Sequence, residues 1–457
     1  MKKKVLSVLL STAMVAAVLS GCGGADAAAT AAPAAEEKTE EAAPAEEKAE
    51  EVAPAAEAGS KTLTVYAWDK GFNIPALEAA EADYKANVDP DFDLDIVEQA
   101  QSSDVENAIT LAGSSNDYSA LPDIVLFQDH YIQRYVADYP DAWVSIDDAG
   151  VNWDNVGAEK QSYSTIDGVH YGFPVDNGTC IFAYRTDLLG EAGYSIDDLT
   201  GCTWEKFIEI GKAVYDKTGK YLLCMDGDGN DLFYLMMQAE GQSQWKDGEP
   251  NITGNEDLKT IFNLMVEMAQ NNVLYLANDW SDYTDQAITG DMVAGVCNGN
   301  WIIPTIKNVP ENSGKWEITS MPTIKGGEGF AANGGSSLYI TSNCQNQQLA
   351  KDFLAYTFGN GSTATYDDAL RNGGVISCVS TAAESDVYKE GVEYFNNQAI
   401  YADIVAMGAN VPVIEQNDYH YSLRRYLAAA LINVINGADA DSELAAAEEQ
   451  IRFEMGL

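Results

Sequence analysis

From Lys61 onward, hydrophobic and polar positions fall into short blocks of changing period. "KTLTVYAWD" alternates with period two and predicts a strand, and "NIPALEAAEADYKANV" repeats its apolar positions with helical spacing. "DFDLDIVEQ" predicts a second strand, "DVENAITLAGS" a helix ended by its glycine, and "LPDIVLF" a third, nearly all-apolar strand. Strands that alternate with helices and are buried on both faces imply a largely parallel sheet with helix-covered sides. Ligands of such sheets gather at the carboxyl ends of strands, which points to "AWDKGFN" and "FQDHY".

The pattern continues through "TIDGVHYGFPVDNGTCIFAYRTDLL", a turn followed by two short strands around Pro174. Thr203 stands where an N-cap is needed before "WEKFIEIGKAVYDKTG". "DLFYLMMQAEG", ended by Gly241, and the strongly amphipathic "NEDLKTIFNLMVEMAQNN" are further helices. "GVCNGNW" runs through small residues to an aromatic, and "WEITSMPTIKGGEGF" is a strand leading into a proline and glycines. "RRYLAAALINVIN" and "DSELAAAEEQIRFEM" predict C-terminal helices.

Ahead of this body the pattern is different. Lys2, Lys3 and Lys4 precede an apolar run over residues 5–18, a basic segment and apolar core of signal-peptide length, too short to span a bilayer. The run ends in Leu19-Ser20-Gly21-Cys22, which resembles the lipobox of bacterial lipoproteins. That resemblance implies cleavage before Cys22 and acylation of its thiol, with residues 1–21 removed. Residues 22–60 carry a near-repeat, "EEKTEEAAPA" and "EEKAEEVAPA", with almost no large apolar side chain. Such a tract cannot bury enough surface to offset ordering entropy, so it is expected to be a disordered leash.

Charge narrows the partners. The chain has 71 acidic against 26 basic residues and a formal net charge of −45. So acidic a surface repels phosphate backbones and anionic headgroups, which argues against nucleic-acid binding. Beyond Cys22, six cysteines are scattered singly, none as CxxC or beside a histidine, and strings such as "YLLCM" make them small core residues rather than zinc ligands. At about four hundred residues the body is too large for one small core and suggests two domains.

The order of the segments "WDKGFN", "PDIV", "DGVHYGFPV" with "YRTDLL", "TWEKF", "GNW", "MPTIKGG" and "NCQNQQLAKDFLAY" resembles the family 1 extracellular solute-binding proteins, the sugar-binding components of ABC importers, in their maltose-binding-protein-like branch. The resemblance covers essentially all of residues 61–457. It implies an α/β, two-lobed periplasmic-binding-protein-like fold of type II, with a ligand cleft between lobes joined by hinge strands. Residues 61–176 plus 323–375 would form the first lobe and residues 177–322 plus 376–457 the second, with crossings at Pro174-Val175, at Met321-Pro322 and near Val375.

The same resemblance carries site residues. Asp69 and Lys70 match an Asp-Lys pair that hydrogen-bonds sugar hydroxyls, in keeping with a carboxylate that accepts and an ammonium that donates. Trp301 matches a tryptophan that stacks on a sugar ring, and Phe127 stands where another stacking tryptophan is usual. Asp129 and His130 fall beside an acidic contact, and Asn230 and Asp231 lie in a loop at the mouth of the site. Trp68, Gln128, Asp176, Asn177, Asn300, Gly334 and Gly335 complete the expected ligand-binding set, with Tyr419 and Tyr421 as an aromatic wall. "DGDGND" begins like a calcium loop, but Asp231 replaces the required glycine and Met237 the required glutamate, so no metal is expected there.

An enzyme reading must name its chemistry. The histidines are His130, His170 and His420, and no G-x-S-x-G, P-loop or H-E-x-x-H motif is present. A surface-anchored glycosidase would need only two carboxylates, and a ferric-iron binder would use paired tyrosines such as those of "NDYHY". The features together favour binding without catalysis and without a cofactor. The expectation is a monomeric lipoprotein, held on the outer face of the cell membrane by Cys22, that delivers a carbohydrate to ABC permease subunits.

Overall fold

The computed structural model describes Ala56 and residues 59–226 and 231–457. The expected signal segment, Cys22, nearly all of the expected leash and Asn230 lie outside the described residues. The end of the leash already touches the body: the Ala56 N–H donates to Asp123 and the Gly59 N–H to Asn346.

The first lobe is built on a five-stranded sheet, in spatial order Asp93–Glu98, Thr62–Ala67, Ile124–Gln128, Ser336–Ile340 and Gly172–Asp176. The first three strands are parallel, as the alternating sequence pattern requires. Ser336–Ile340 runs antiparallel to both of its neighbours because the chain re-enters from the other lobe at the cleft edge. Helices Asn73–Asn87 and Thr363–Gly373 pack together on one side of the sheet, and Ser102–Ser115 and Asp129–Asp138 cover the other.

Gly113 does not end its helix. The helix runs to Ser115, and Asn116 takes the left-handed conformation beyond it. A Cβ on Gly113 would stand 2.1 Å from the Tyr139 ring, so the glycine serves close packing within the helix.

The second lobe is built on a different sheet. Its central sheet orders Gly295–Gly299, Cys180–Arg185 and Trp316–Thr319, and both outer strands run antiparallel to the middle one. Cys180–Arg185 leaves the cleft, and its partners run back towards it. That return brings Gly299 opposite Cys180 and delivers "NGNW" to the cleft edge. Leu223–Asp226 and Leu274–Ala277 pair in parallel beside this sheet. Thr203 caps its helix as expected, its hydroxyl accepting from the Lys206 N–H at 3.2 Å. Helices Trp204–Thr218, Asp231–Ala239, Glu256–Gln270, His420–Ile435 and Ala440–Met455 bury their apolar faces in the lobe's core.

The lobes are joined where chain segments lie side by side. Thr179 bridges Ala332 and Asp176 bridges Ser377, and the Asn333 N–H donates to Gly178 O at 2.9 Å. Gly178 has φ +59, and a Cβ there would meet Asn333 O at 2.3 Å, so only glycine allows this approach. The return crossing falls at residues 331–335, later than Met321-Pro322. Met321 and Gly329 pair with each other, and the Thr323 N–H donates to Cys202 O, so this stretch lies on the second lobe. The proline and glycines close a turn there before the chain crosses.

Cys180, Cys224, Cys297 and Cys344 are buried, Cys202 and Cys378 are half-buried, and all six are free. Among the described residues, no helix is long and apolar enough to cross a membrane.

Candidate functional site

A cleft of about 530 Å³ opens where the crossings meet the two lobes, within the ordinary range for small-ligand sites. From the first lobe it is lined by Trp68 and Asp69, at the end of the Thr62–Ala67 strand, and by Gln128 at the end of Ile124–Gln128. The turn after Asp69 is held by its own carboxylate, which accepts the Gly71 N–H at 2.7 Å, and by Asn73, whose side chain accepts the Asp69 N–H at 3.1 Å. Asp69 remains exposed, so it has acceptor capacity left for a ligand.

The crossing segments supply the floor. Asp176 takes the Ser336 N–H at 3.0 Å and its hydroxyl at 2.6 Å on one carboxylate oxygen. Gly334 and Gly335 line the floor beside Asn333 and Ser336. Gly335 has φ +91, and a Cβ there would stand 2.6 Å from the Asp129 carboxylate.

The second lobe contributes a connected wall of Trp301, Asp231, Tyr421 and Arg424. Arg424, 1% exposed, forms an ion pair with Asp231 and lies over the ring of Tyr421 at 5.1 Å. Asn333 donates to Asp231 at 2.9 Å and to Asn298 at 2.7 Å, and its backbone oxygen accepts the Trp301 indole N–H at 2.8 Å. With its N–H held, Trp301 is fixed in orientation and presents its ring to the cleft.

Several expected residues stand elsewhere. Lys70 points away from the cleft and pairs with Glu98 at 3.0 Å on the surface. Phe127 is 1% exposed and packs edge-on against Tyr135, Trp143 and Tyr339 in the first lobe's core. Strand alternation turns Phe127 inward and leaves Gln128 at the cleft. Asp129 is buried beneath the floor, paired with Lys160 and accepting from Ser337 at 3.0 Å. Burial pushes its carboxyl up to about 6 against the pull of Lys160.

His130 lies between the lobes, stacked on His420 with centroids 5.1 Å apart and within 3.3 Å of the Tyr421 hydroxyl. Burial, then His420 and Arg424, hold His130 well below its usual pKa, and burial lowers His420 to about 3, so this stack is neutral near pH 7. Asn177 and Asn300 are buried beside the crossings, outside the cleft lining, and Tyr419 packs against the second lobe's core. Of the two tyrosines, Tyr421 lines the cleft and Tyr419 does not.

Sequence reasoning missed Arg424, Asn333 and Lys160. Arg424 follows His420 by four residues and Tyr421 by three, so one helical face carries all of them. That spacing was the available signal. Asn333 stands ahead of two glycines, but nothing local announces its partners. Lys160 sits in a seven-residue helix, Ala158–Ser164, where it donates to Ser336 O at 2.7 Å.

A two-lobed α/β body with crossing segments and an aromatic, polar-lined cleft defines a solute-binding receptor. The chain belongs to the bacterial extracellular solute-binding protein family, whose profile matches residues 79–396; that family works outside the cytoplasm, and its members are binding proteins. A relative in Rhizobium radiobacter, a lactose-binding protein, is 31% identical over 391 residues, covering 85% of this chain and 92% of that protein. The fold is shared with the sugar-binding protein MalE of Xanthomonas citri (TM-score 0.69, 16% identity, 85% of this chain and 96% of that one). It is also shared with the galacto-N-biose/lacto-N-biose I-binding protein of the ABC transporter of Bifidobacterium longum, solved with lacto-N-biose (TM-score 0.69, 17% identity, 88% and 99% covered).

Proposed function

We propose that this chain is the carbohydrate receptor of an ABC importer, anchored through acylated Cys22, which captures a neutral di- or oligosaccharide and presents it to the permease subunits. The observation that carries the reading is the pairing of aromatic faces with tethered polar groups in one cleft. Trp68 and Trp301 offer flat apolar surfaces, while Asp69, Asp231, Asn333 and Arg424 offer acceptors and donors. A pyranose has both kinds of surface, a C–H-rich face and a rim of hydroxyls that donate and accept.

Binding alone suffices for this role, and no nucleophile is required of the cleft. The kinship with a lactose-binding protein makes β-galactosides the first ligands to try. The ligand set we assign is Trp68, Asp69, Gln128, Asp176, Asp231, Trp301, Asn333, Tyr421 and Arg424.

A thermal-shift screen over mono- and oligosaccharides tests the reading, because a ligand bound only by the folded state raises the melting temperature. Saturation by at least one carbohydrate, with no product released from it on long incubation, is the expected result. Hydrolysis of the bound sugar, or indifference to every carbohydrate, overturns it. Cys22→Ala is expected to move the protein from the membrane to the soluble fraction; retention would remove the anchor.

A further inference from the structure

Trp280 stands just outside the cleft lining and is 46% exposed. Its exposed face is apolar surface that a ligand leaving the cleft can cover. The ring is not loosely placed. Its neighbour Tyr283 stacks against it with centroids 5.3 Å apart and planes 30° from parallel. Tyr283 is itself buried, donates to Cys297 O at 3.4 Å and accepts from the Asn298 side chain at 3.2 Å. Asn298 in turn receives Asn333, the residue that holds Trp301.

The loop carrying Trp280 is also pinned at its base. Asp282 accepts from the Tyr275 hydroxyl at 3.0 Å and from both the backbone and the side chain of Asn278 at 2.8 Å. Trp280 is therefore pre-organised in the open, and its ring centre lies 5.7 Å from that of Trp301 with the planes 43° apart. The separation is about that of successive rings in a sugar chain, and the tilt asks the chain to turn as it leaves the cleft.

We propose that Trp280 is an outer stacking position for a second or third sugar unit, so that the receptor is built for an oligosaccharide whose end reaches the solvent mouth. The inference rests on the carbohydrate reading of the cleft and adds a length preference to it. Preorganisation makes such a platform effective, since ordering the loop costs nothing further on binding.

Calorimetric titration of the full mature protein with galactose, lactose and β-galactosyl-lactose separates the possibilities. The wild type should bind the trisaccharide more tightly than galactose. Trp280→Ala should weaken the trisaccharide about tenfold, leave galactose unchanged and keep the melting temperature, and Trp280→Phe should recover most of the loss. An equal loss for galactose and the trisaccharide, or no loss for either, overturns the proposal while the carbohydrate reading stands. A trisaccharide bound no more tightly than galactose by the wild type does the same. A wild type that binds none of these sugars removes the galactoside reading and this inference with it.

Discussion

On the first-lobe side of the cleft, Asp69 is exposed and, among the described residues, bonds within its own turn, and Trp68 is half-buried beside it. On the other side, Asp231 is clamped by Arg424 and Asn333, and Trp301 is tethered through its indole N–H. One wall keeps an exposed carboxylate for a ligand, and the other has its charge and its indole N–H already engaged before the ligand arrives. That second wall is tied to the crossing at residues 331–335, so occupancy of the cleft and the geometry of the hinge share the side chain of Asn333. A receptor that must report occupancy to a partner gains from this arrangement, because a ligand touching both walls senses their relative position.

The comparison breaks most severely at Arg424. Removing it leaves Asp231 as an uncompensated, largely enclosed charge, a change that typically costs about 3–5 kcal/mol. Arg424→Ala is expected to lower the unfolding midpoint in urea strongly and to abolish sugar binding, and a midpoint near that of the wild type would show that the wall does not depend on this pair. Trp301→Ala tests the same wall without unbalancing charge. It should cost about 2 kcal/mol of binding, roughly thirtyfold in Kd, with little change in the melting temperature of the free protein. A large fall in melting temperature with Kd retained would make Trp301 a structural residue.

Beneath the floor, Glu159 gives a prediction on stability alone. It is buried, neither carboxylate oxygen meets a hydrogen-bond partner of good geometry, and burial raises its pKa from 4.5 to about 7. The folded state therefore holds a proton that the unfolded state releases between those values, so this group's contribution to stability is full below pH 4.5 and is lost as pH rises through 7. Glu159→Gln removes that dependence. Relative to the wild type, the variant should gain ~2 kcal/mol between pH 5 and pH 8, read as the change in the difference of unfolding free energies. His130 and His420 titrate the opposite way, and Asp129 titrates in the same window; all three are present in both proteins and enter the difference only through their coupling to residue 159. A difference independent of pH would place a charged Glu159 in the fold.

The smallest effect is expected at Lys70. Its pair with Glu98 is a surface pair with 76% and 42% of the side chains exposed, and such pairs contribute little. Lys70→Ala should leave Kd within about twofold. A larger loss would bring Lys70 into the ligand set.

Local pattern made the elements and their order legible. The period-two run of Thr62–Ala67, the helical spacing of Glu256–Gln270 and the Thr203 cap each follow from neighbouring residues, which is the range over which hydrophobic period and capping act. The aromatic after small residues in "CNGNW" and the acidic turn at Asp69 were visible for the same reason. The direction of the second lobe's strands was decided by where the chain crosses between lobes, which no local period encodes. Tertiary structure alone also decided that Phe127 faces the core while Gln128 faces the cleft, that Asp129 lies under the floor, and that Arg424, Asn333 and Asp231 meet. Those contacts join residues distant along the chain, and a buried charge is placed by the partner that compensates it rather than by its neighbours in sequence.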